Sequence, residues 1–137
     1  MKEGDQIPEL KVTPDKYLPH RYAGASGDFN PIHIDDELAK QVGLPRNILH
    51  GLYGMAQVAR ANAAAAGGDP RALKRLTVQF RGMGVPEEEI TVSGTVKQAG
   101  DTVVVDTVAE QSGNQIIRNA EADAADTATR PAPPGRT

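Results

Sequence analysis

The chain has 137 residues, a formal net charge of −3, 39% apolar residues and no cysteine. This length predicts one domain with a core of its own, and the slightly acidic balance argues against nucleic acid as a partner. The absence of cysteine excludes thiol catalysis and thiolate-bound zinc.

The first half of the chain carries short elements. Residues 4–12 predict a short extended segment. A short helix is expected to begin near Pro19, because proline is favoured at the first helical position. A second short helix is expected over residues 35–42, with Asp35 as its N-cap and Gly43 just beyond its end.

Residues 51–66 are the strongest helix candidate, and Gly67, Gly68 and Pro70 end it. Small side chains on one helix face let another backbone approach closely, so we expect this helix to lie deep against a sheet. Spacing places the following residues on its predicted buried face: Leu52, Met55, Ala56, Ala59, Ala63 and Ala66.

Beyond the helix the hydrophobic period changes to two, which is typical of strands. Residues 102–109 and 115–122 are predicted to be two further strands, and Gly-containing turn signals separate them. Short links predict an antiparallel meander, and the long helix before it predicts an α+β architecture with a sheet wrapped over one helix. The alternating apolar positions of the earlier strands are Leu76, Val78 and Phe80, then Ile90, Val92 and Val96.

The sequence predicts no targeting or membrane segment, and it predicts a C-terminal tail that does not fold. Residues 1–10 lack the apolar stretch of a signal peptide, and no segment approaches the roughly 18 apolar residues of a membrane helix. Residues 126–137 are rich in Pro, Ala and Thr, which predicts a disordered tail after a single domain at residues 1–125. We therefore expect a cytoplasmic protein that does not bind a membrane.

Residues 26–35, SGDFNPIHID, place a carboxylate, an Asn-Pro step and an imidazole close together. Asp28 and His33 would lie about 140° apart around a helix and on opposite faces of a strand, so they can meet only across a bend. Asn30-Pro31 supplies that bend, because a residue before proline avoids the α region and Asn closes turns. Once this bend brings them together, Asp28 and His33 would form an acid/base pair. The alternative is that Asp28 only caps a turn and His33 only packs.

His50 and Gly51 stand where the long helix is predicted to begin. A helix N-terminus offers unpaired N–H groups, and Gly51 has no Cβ to keep a substrate oxygen away from its amide. This arrangement predicts an oxyanion site, and the alternative is a glycine that only starts the helix. We group His50 with this site, more as a structural hydrogen-bonding residue than as a catalyst. His20 has no motif around it and is expected at the surface.

Residues 22–51 resemble the MaoC-like dehydratase and (R)-specific enoyl-CoA hydratase family, and especially the catalytic small subunits of actinobacterial (3R)-hydroxyacyl-thioester dehydratases. The motif D-F-N-P-I-H, followed by H-G at the head of a long helix, carries the resemblance. It implies a hot-dog fold, usually dimeric, with the two sheets joined into one. It implies that Asp28 and His33 are the catalytic pair. It also implies that the Gly51 amide polarises a thioester carbonyl, and that Asn30 holds the loop and hydrogen-bonds within the site.

The reaction that the resemblance implies is addition of water to a trans-2-enoyl thioester, or its removal from an (R)-3-hydroxyacyl thioester. The acyl group would be carried by CoA or acyl carrier protein, and no metal or redox cofactor is expected. For dehydration we assign the α-proton to His33 and the departing hydroxyl to Asp28, although coupled groups can share both roles. A homodimer, or a heterodimer with another hot-dog subunit, is implied as the assembly.

Three alternatives stay open. A hot-dog thioesterase uses the same scaffold with a carboxylate-activated water, but His33 and the following H-G favour hydration. The chain keeps Asp28, Asn30 and His33, which indicates a catalytic subunit, but it could still require a partner chain. A metal site is disfavoured because its spacing matches no known metal motif; its donors would be Asp28, His33, Asp35 and His50.

Overall fold

The structure is a computed structural model that describes residues 1–125, so the tail expected at residues 126–137 lies outside the described residues. The helices are α1 Leu18–Ser26, α2 Pro31–Ile34, α3 Asp36–Gln41 and α4 Gly51–Ala65. The strands are β1 Leu10–Val12, β2 Leu73–Phe80, β3 Ile90–Gln98, β4 Thr102–Gln111 and β5 Asn114–Ala125. Among residues 1–125, no helix combines the length and the apolar character needed to cross a membrane.

The strands form one antiparallel sheet in the order β1-β3-β4-β5-β2, so β1 and β2 are its edges. The strands β3, β4 and β5 form the predicted antiparallel meander, but β2 pairs with β5 and not with β3, the next strand in the chain. Ile90, Val92 and Val96 are buried at 0%, 0% and 1% exposure, which confirms the inward face of β3. The β2 edge is less buried, and Phe80 at its end is 55% exposed.

The predicted starts of the short helices are confirmed. Pro19 lies in the first turn of α1. The Asp35 side chain caps α3 by accepting a hydrogen bond from the Leu38 N–H at 3.0 Å. Gly43 follows α3 with a φ of 94°, a left-handed conformation that glycine adopts without strain. The N-terminal strand is shorter than expected, because only Leu10–Val12 is a strand and residue 6 forms an isolated bridge.

Helix α4 packs against the sheet as predicted, but only Ala66 of the predicted buried face is fully buried, and most of that prediction is wrong. Leu52 is 60% exposed. Alanines occur on both sides of this helix, so their spacing does not distinguish its faces, and the larger Tyr53 and Val58 bury more apolar area. The buried residues are Tyr53, Gly54, Gln57, Val58, Ala61 and Asn62.

The NH2 groups of two buried side-chain amides on α4 donate hydrogen bonds, while the Asn62 Oδ1 has no partner among residues 1–125. The Gln57 Nε2 donates to the Tyr53 carbonyl oxygen at 3.3 Å, and the Asn62 Nδ2 donates to Thr107 Oγ1 on β4 at 3.1 Å. A buried amide without partners would cost about 1–3 kcal/mol. Gly54 brings the helix close to β5, since a Cβ there would lie 3.1 Å from the Ile117 Cδ1.

Candidate active site

The bend between α1 and α2 consists of two successive side-chain turns. The Asn30 N–H donates to Asp28 Oδ1 at 3.2 Å, and the Ile32 N–H donates to Asn30 Oδ1 at 3.3 Å. Pro31 then occupies the first turn of α2. The chain reverses so tightly that the His33 Nε2 lies 3.8 Å from Asp28 Oδ2. The predicted bend therefore does bring the carboxylate and the imidazole together.

The orientation of the His33 ring is set by a main-chain carbonyl. Its Nδ1 lies 2.8 Å from the Ile48 carbonyl oxygen, and a carbonyl can only accept, so Nδ1 carries the proton. The lone pair of the neutral ring is then on Nε2, the atom that faces Asp28. The His33 side chain is 10% exposed and that of Asp28 is 53% exposed. A buried base therefore stands beside a carboxyl group that can exchange protons with solvent.

His50 contacts both members of this pair. Its Nε2 donates to the Asp28 carbonyl oxygen at 3.0 Å. Its ring stacks on that of His33 with centroids 3.9 Å apart, and Tyr22 covers it at 4.6 Å. The His50 Nδ1 is buried without a hydrogen-bond partner among residues 1–125. His50 thus lies at the N-cap of α4, in contact with the loop that carries Asp28.

Gly51 is the first residue of α4, and it lines the same cavity as His33. The cavity has a volume of about 180 Å³ and is open on one side. A Cβ on Gly51 would lie 3.2 Å from the Phe80 Cε1, so glycine also leaves room for that ring. The structure therefore joins the two predicted halves of the site across one cavity, and its other walls are mostly apolar.

Asn47 is a residue at this site that the sequence pattern did not indicate. It is 4% exposed, and its Nδ2 donates to the His33 carbonyl oxygen at 3.0 Å. Its own N–H donates to Asp36 Oδ1 at 3.0 Å. That hydrogen bond, followed by one from Lys40, lowers the pKa of the Asp36 carboxyl. These contacts tie α2 and α3 to the segment before α4, and no local motif could have revealed them.

A second unpredicted group holds the loop between β2 and β3. Gln111 on β4 is buried, and its side-chain amide accepts from the Val85 N–H and donates to the Val85 carbonyl oxygen, both at 2.8 Å. The Leu49 N–H donates to the Gly84 carbonyl oxygen at 2.8 Å. This loop forms one wall of the cavity, so these bonds hold the wall against the segment that precedes α4.

The donor atoms of Asp28, His33 and His50 lie within 4.8 Å of one another, which raises the question of a metal site. An ion bound by two histidines lies about 2 Å from each nitrogen, along its lone pair and in the plane of each ring. The His33 and His50 rings are stacked at an interplanar angle of 23°, so their planes do not meet at such a point. Asp35 caps α3 instead of joining them. This geometry does not fit a metal held by both histidines.

The family model of the MaoC like domain matches residues 2–123. This chain belongs to the MaoC-like family. The MaoC-like chain is also 34% identical, over 119 residues, to the enoyl-CoA hydratase ChsH3 of Mycobacterium tuberculosis. That match covers 82% of this chain and 40% of the relative, so the chain spans well under half of the relative's length.

Solved structures confirm the hot-dog fold of this MaoC-like chain. A MaoC-like dehydratase superposes with a TM-score of 0.86 at 32% identity, over 91% of this chain and 40% of that one. A chain of the ChsH1–ChsH2 complex from Mycobacterium tuberculosis superposes with a TM-score of 0.80 at 21% identity, over 90% of this chain and 98% of that one. The second likeness concerns the fold alone.

Proposed function

We propose that this MaoC-like chain catalyses the reversible hydration of trans-2-enoyl thioesters and the dehydration of (R)-3-hydroxyacyl thioesters, carried by CoA or acyl carrier protein. The observation that carries the proposal is the 3.8 Å approach of Asp28 Oδ2 to the His33 Nε2. His33 of this pair lines a cavity that the first residue of α4, Gly51, also lines. The family and the hydratase relative support the same reaction class.

The dehydration begins with a carbonyl oxygen near the Gly51 amide, where the helix N-terminus stabilises the charge of an enolate. The His33 Nε2 removes the α-proton, and the C–H electron pair passes into the enolate. The C3–O bond then breaks while protonated Asp28 gives its proton to the departing hydroxyl. The products are the enoyl thioester and water, and the proton on His33 returns to Asp28 or to solvent. Hydration is the reverse.

The other two predicted site residues receive positioning roles in this proposal. Asn30 accepts the Ile32 N–H and so holds the turn that separates Asp28 from α2. His50 holds the Asp28 main chain through a hydrogen bond and supports the His33 ring by stacking. Neither residue needs to exchange a proton with the substrate for the reaction to proceed.

We further propose that residues 1–125 form one hot-dog domain that pairs with a second hot-dog chain, identical or different, through β2. Within the described sheet β2 pairs only with β5, and an edge strand of this length is a template for another strand. Phe80 ends this strand and Met83 lies just beyond it. Both line the cavity, and they are 55% and 52% exposed. A cytoplasmic location stays a prediction from the sequence.

The test measures the hydration of crotonyl-CoA by the wild type, Asp28→Asn and His33→Ala. The decrease in the absorbance of the enoyl thioester monitors the reaction. General acid or base groups contribute about 10²–10⁴-fold, so each variant should lose at least about a hundredfold in kcat. Asn at position 28 can still accept the Asn30 N–H, so the fold should persist.

A parallel assay for free thiol separates this proposal from a thioesterase. Release of thiol faster than hydration would support thioester hydrolysis instead. Full activity of Asp28→Asn would contradict the acid/base pair. A folded wild type inactive on short and long enoyl thioesters, alone and with a candidate partner subunit, would contradict the proposed reaction.

A further inference from the structure

We propose that the cavity beside His33 limits the length of the acyl chain that can be buried. Acyl groups of about four to six carbons fill it, so longer chains gain no further binding. This inference rests on the proposed function, because it takes the cavity as the acyl site of that reaction. It adds a substrate class that the family alone does not define.

The burial of the lining residues distinguishes the mouth of the cavity from its floor. Phe80 and Met83 are 55% and 52% exposed and mark its mouth, and Gly51 lies against Phe80. Ile90 and Ile117 are 0% and 1% exposed and form its floor. An acyl group whose carbonyl oxygen is held at the Gly51 amide would therefore point its alkyl end toward these two isoleucines.

The volume limits the length of that alkyl end. A dry protein cavity of about 150 Å³ holds one benzene ring, or about 25 Å³ per carbon. The cavity volume of about 180 Å³ therefore accepts about seven non-hydrogen atoms. The reacting carbons and the 3-oxygen take part of this space, and the carbonyl lies near the mouth. When these atoms are counted with the rest of the acyl group, the cavity suits a chain of about four to six carbons in total.

The side chains around the floor of the cavity are closely packed. A Cβ on Gly54 would lie 3.1 Å from the Ile117 Cδ1 and 3.9 Å from the Ile116 Cδ1, so α4 is already seated on β5. A Cβ on Gly84 would lie 3.1 Å from the Leu49 Cδ1 and 3.5 Å from the Ile116 Cδ1. The Gln111 bonds to Val85 hold the loop that carries Gly84. Within residues 1–125, closely packed side chains of α4, β5 and this loop therefore stand behind the cavity.

The experiment measures binding of saturated acyl-CoA esters, which cannot be hydrated, to the full wild-type chain by calorimetry. Each buried methylene should tighten Kd about fourfold, so Kd should fall from butyryl- to hexanoyl-CoA and then level off at octanoyl- and decanoyl-CoA. Continued tightening to decanoyl-CoA, or Kd values independent of length throughout, would overturn the inference. A negative hydration assay would instead contradict the proposed reaction, so the two failures are distinguishable.

Two variants should change, in opposite directions, the acyl chain length at which Kd levels off. Gly54→Ala adds a methyl group at the floor and favours the helix, so Kd should level off already at butyryl-CoA. Ile116→Ala removes three carbons, about 75 Å³, so tightening should continue to octanoyl-CoA. Ile7→Ala is the matched control, because Ile7 belongs to the same core but does not line the cavity. A shift in Ile7→Ala, or none in Gly54→Ala, would overturn the role of the floor.

Discussion

His50 donates a hydrogen bond from Nε2 to the main-chain carbonyl oxygen of Asp28, 22 residues away in the chain, at 3.0 Å. The same ring stacks on the imidazole of His33 with centroids 3.9 Å apart. One side chain therefore touches both members of the proposed acid/base pair. The positions of these two groups relative to each other depend on the N-terminus of α4, where His50 is the N-cap.

Replacing His50 should affect turnover more than substrate binding. His50→Ala removes both the hydrogen bond to Asp28 and the stacking surface for His33. A displacement of about 1 Å can cost about a hundredfold in rate, so kcat should fall by about that factor while KM changes little. His50→Gln keeps an amide donor and should recover part of the loss. Steady-state kinetics on crotonyl-CoA would measure both.

His20→Ala is the matched control for His50, because the exposed His20 also contacts a main-chain carbonyl, that of Ile34, at 3.1 Å. Its kcat should equal that of the wild type. Thermal unfolding of each variant would verify that it is folded. A folded His50→Ala variant with unchanged kcat would remove His50 from the proposed site.

Gly51→Ala should disturb the mouth of the cavity while leaving the amide in place. The new Cβ would lie 3.2 Å from the Phe80 Cε1, so the ring must move. We expect kcat/KM to fall about tenfold, the scale of one misplaced methyl group in an apolar site. Alanine is a better helix former than glycine, so the thermal stability should not fall through the helix.

The double variant Gly51→Ala/Phe80→Leu isolates that contact. A smaller side chain at position 80 should relieve the clash, so the two substitutions should couple by about 0.5–3 kcal/mol in transition-state free energy. Kinetics of the single and double variants complete the cycle. Additive losses would mean that the methyl group acts at the amide and not through Phe80.

Asp36 should contribute stability that depends on pH. The Asn47 N–H, and then Lys40, lower its folded-state pKa below the usual value of 3.8. The unfolded state therefore binds the proton more readily, so this stability is present above about pH 3.8 and is lost as the pH falls through the folded-state pKa. Asp36→Asn should be less stable than the wild type at neutral pH, and the difference should shrink in acid.

Denaturant unfolding at neutral and acid pH would measure this difference for Asp36→Asn. Asp101→Asn, in the exposed turn between β3 and β4, makes the same change of charge and serves as the control. A difference between Asp36→Asn and the wild type that is equal at both pH values would show that the carboxylate charge contributes no stability there.

A charge in the middle of β2 should weaken the proposed pairing of two chains. Thr77 is exposed near the centre of this edge strand. In a symmetric antiparallel pair, Thr77→Glu would place two carboxylates close together, and like charges across strands are destabilising. Light scattering after size exclusion should show a shift toward monomer. Thr102→Glu, at the start of β4, should leave the oligomeric state unchanged, and a wild type that is monomeric at all concentrations would contradict the pairing.

Local sequence patterns predicted most of the elements. Proline and aspartate positions marked the starts of α1 and α3, and the period-two alternation marked β2 and β3. The bend at Asn30-Pro31 followed from backbone preferences alone. The buried face of α4 was mispredicted, because alanines on both sides of a helix give no clear direction and the packing of Tyr53 and Val58 decided it.

The sequence by itself determined the chemistry and the bend, because side-chain types and backbone preferences act over a few residues. It placed Asp28 and His33 within reach of each other and glycine at the head of a long helix. Only the tertiary structure decided which nitrogen of His33 is free, that His50 supports both partners, and how deep the cavity is. Those properties depend on contacts such as the one between Ile48 and His33, which form only when distant segments pack together.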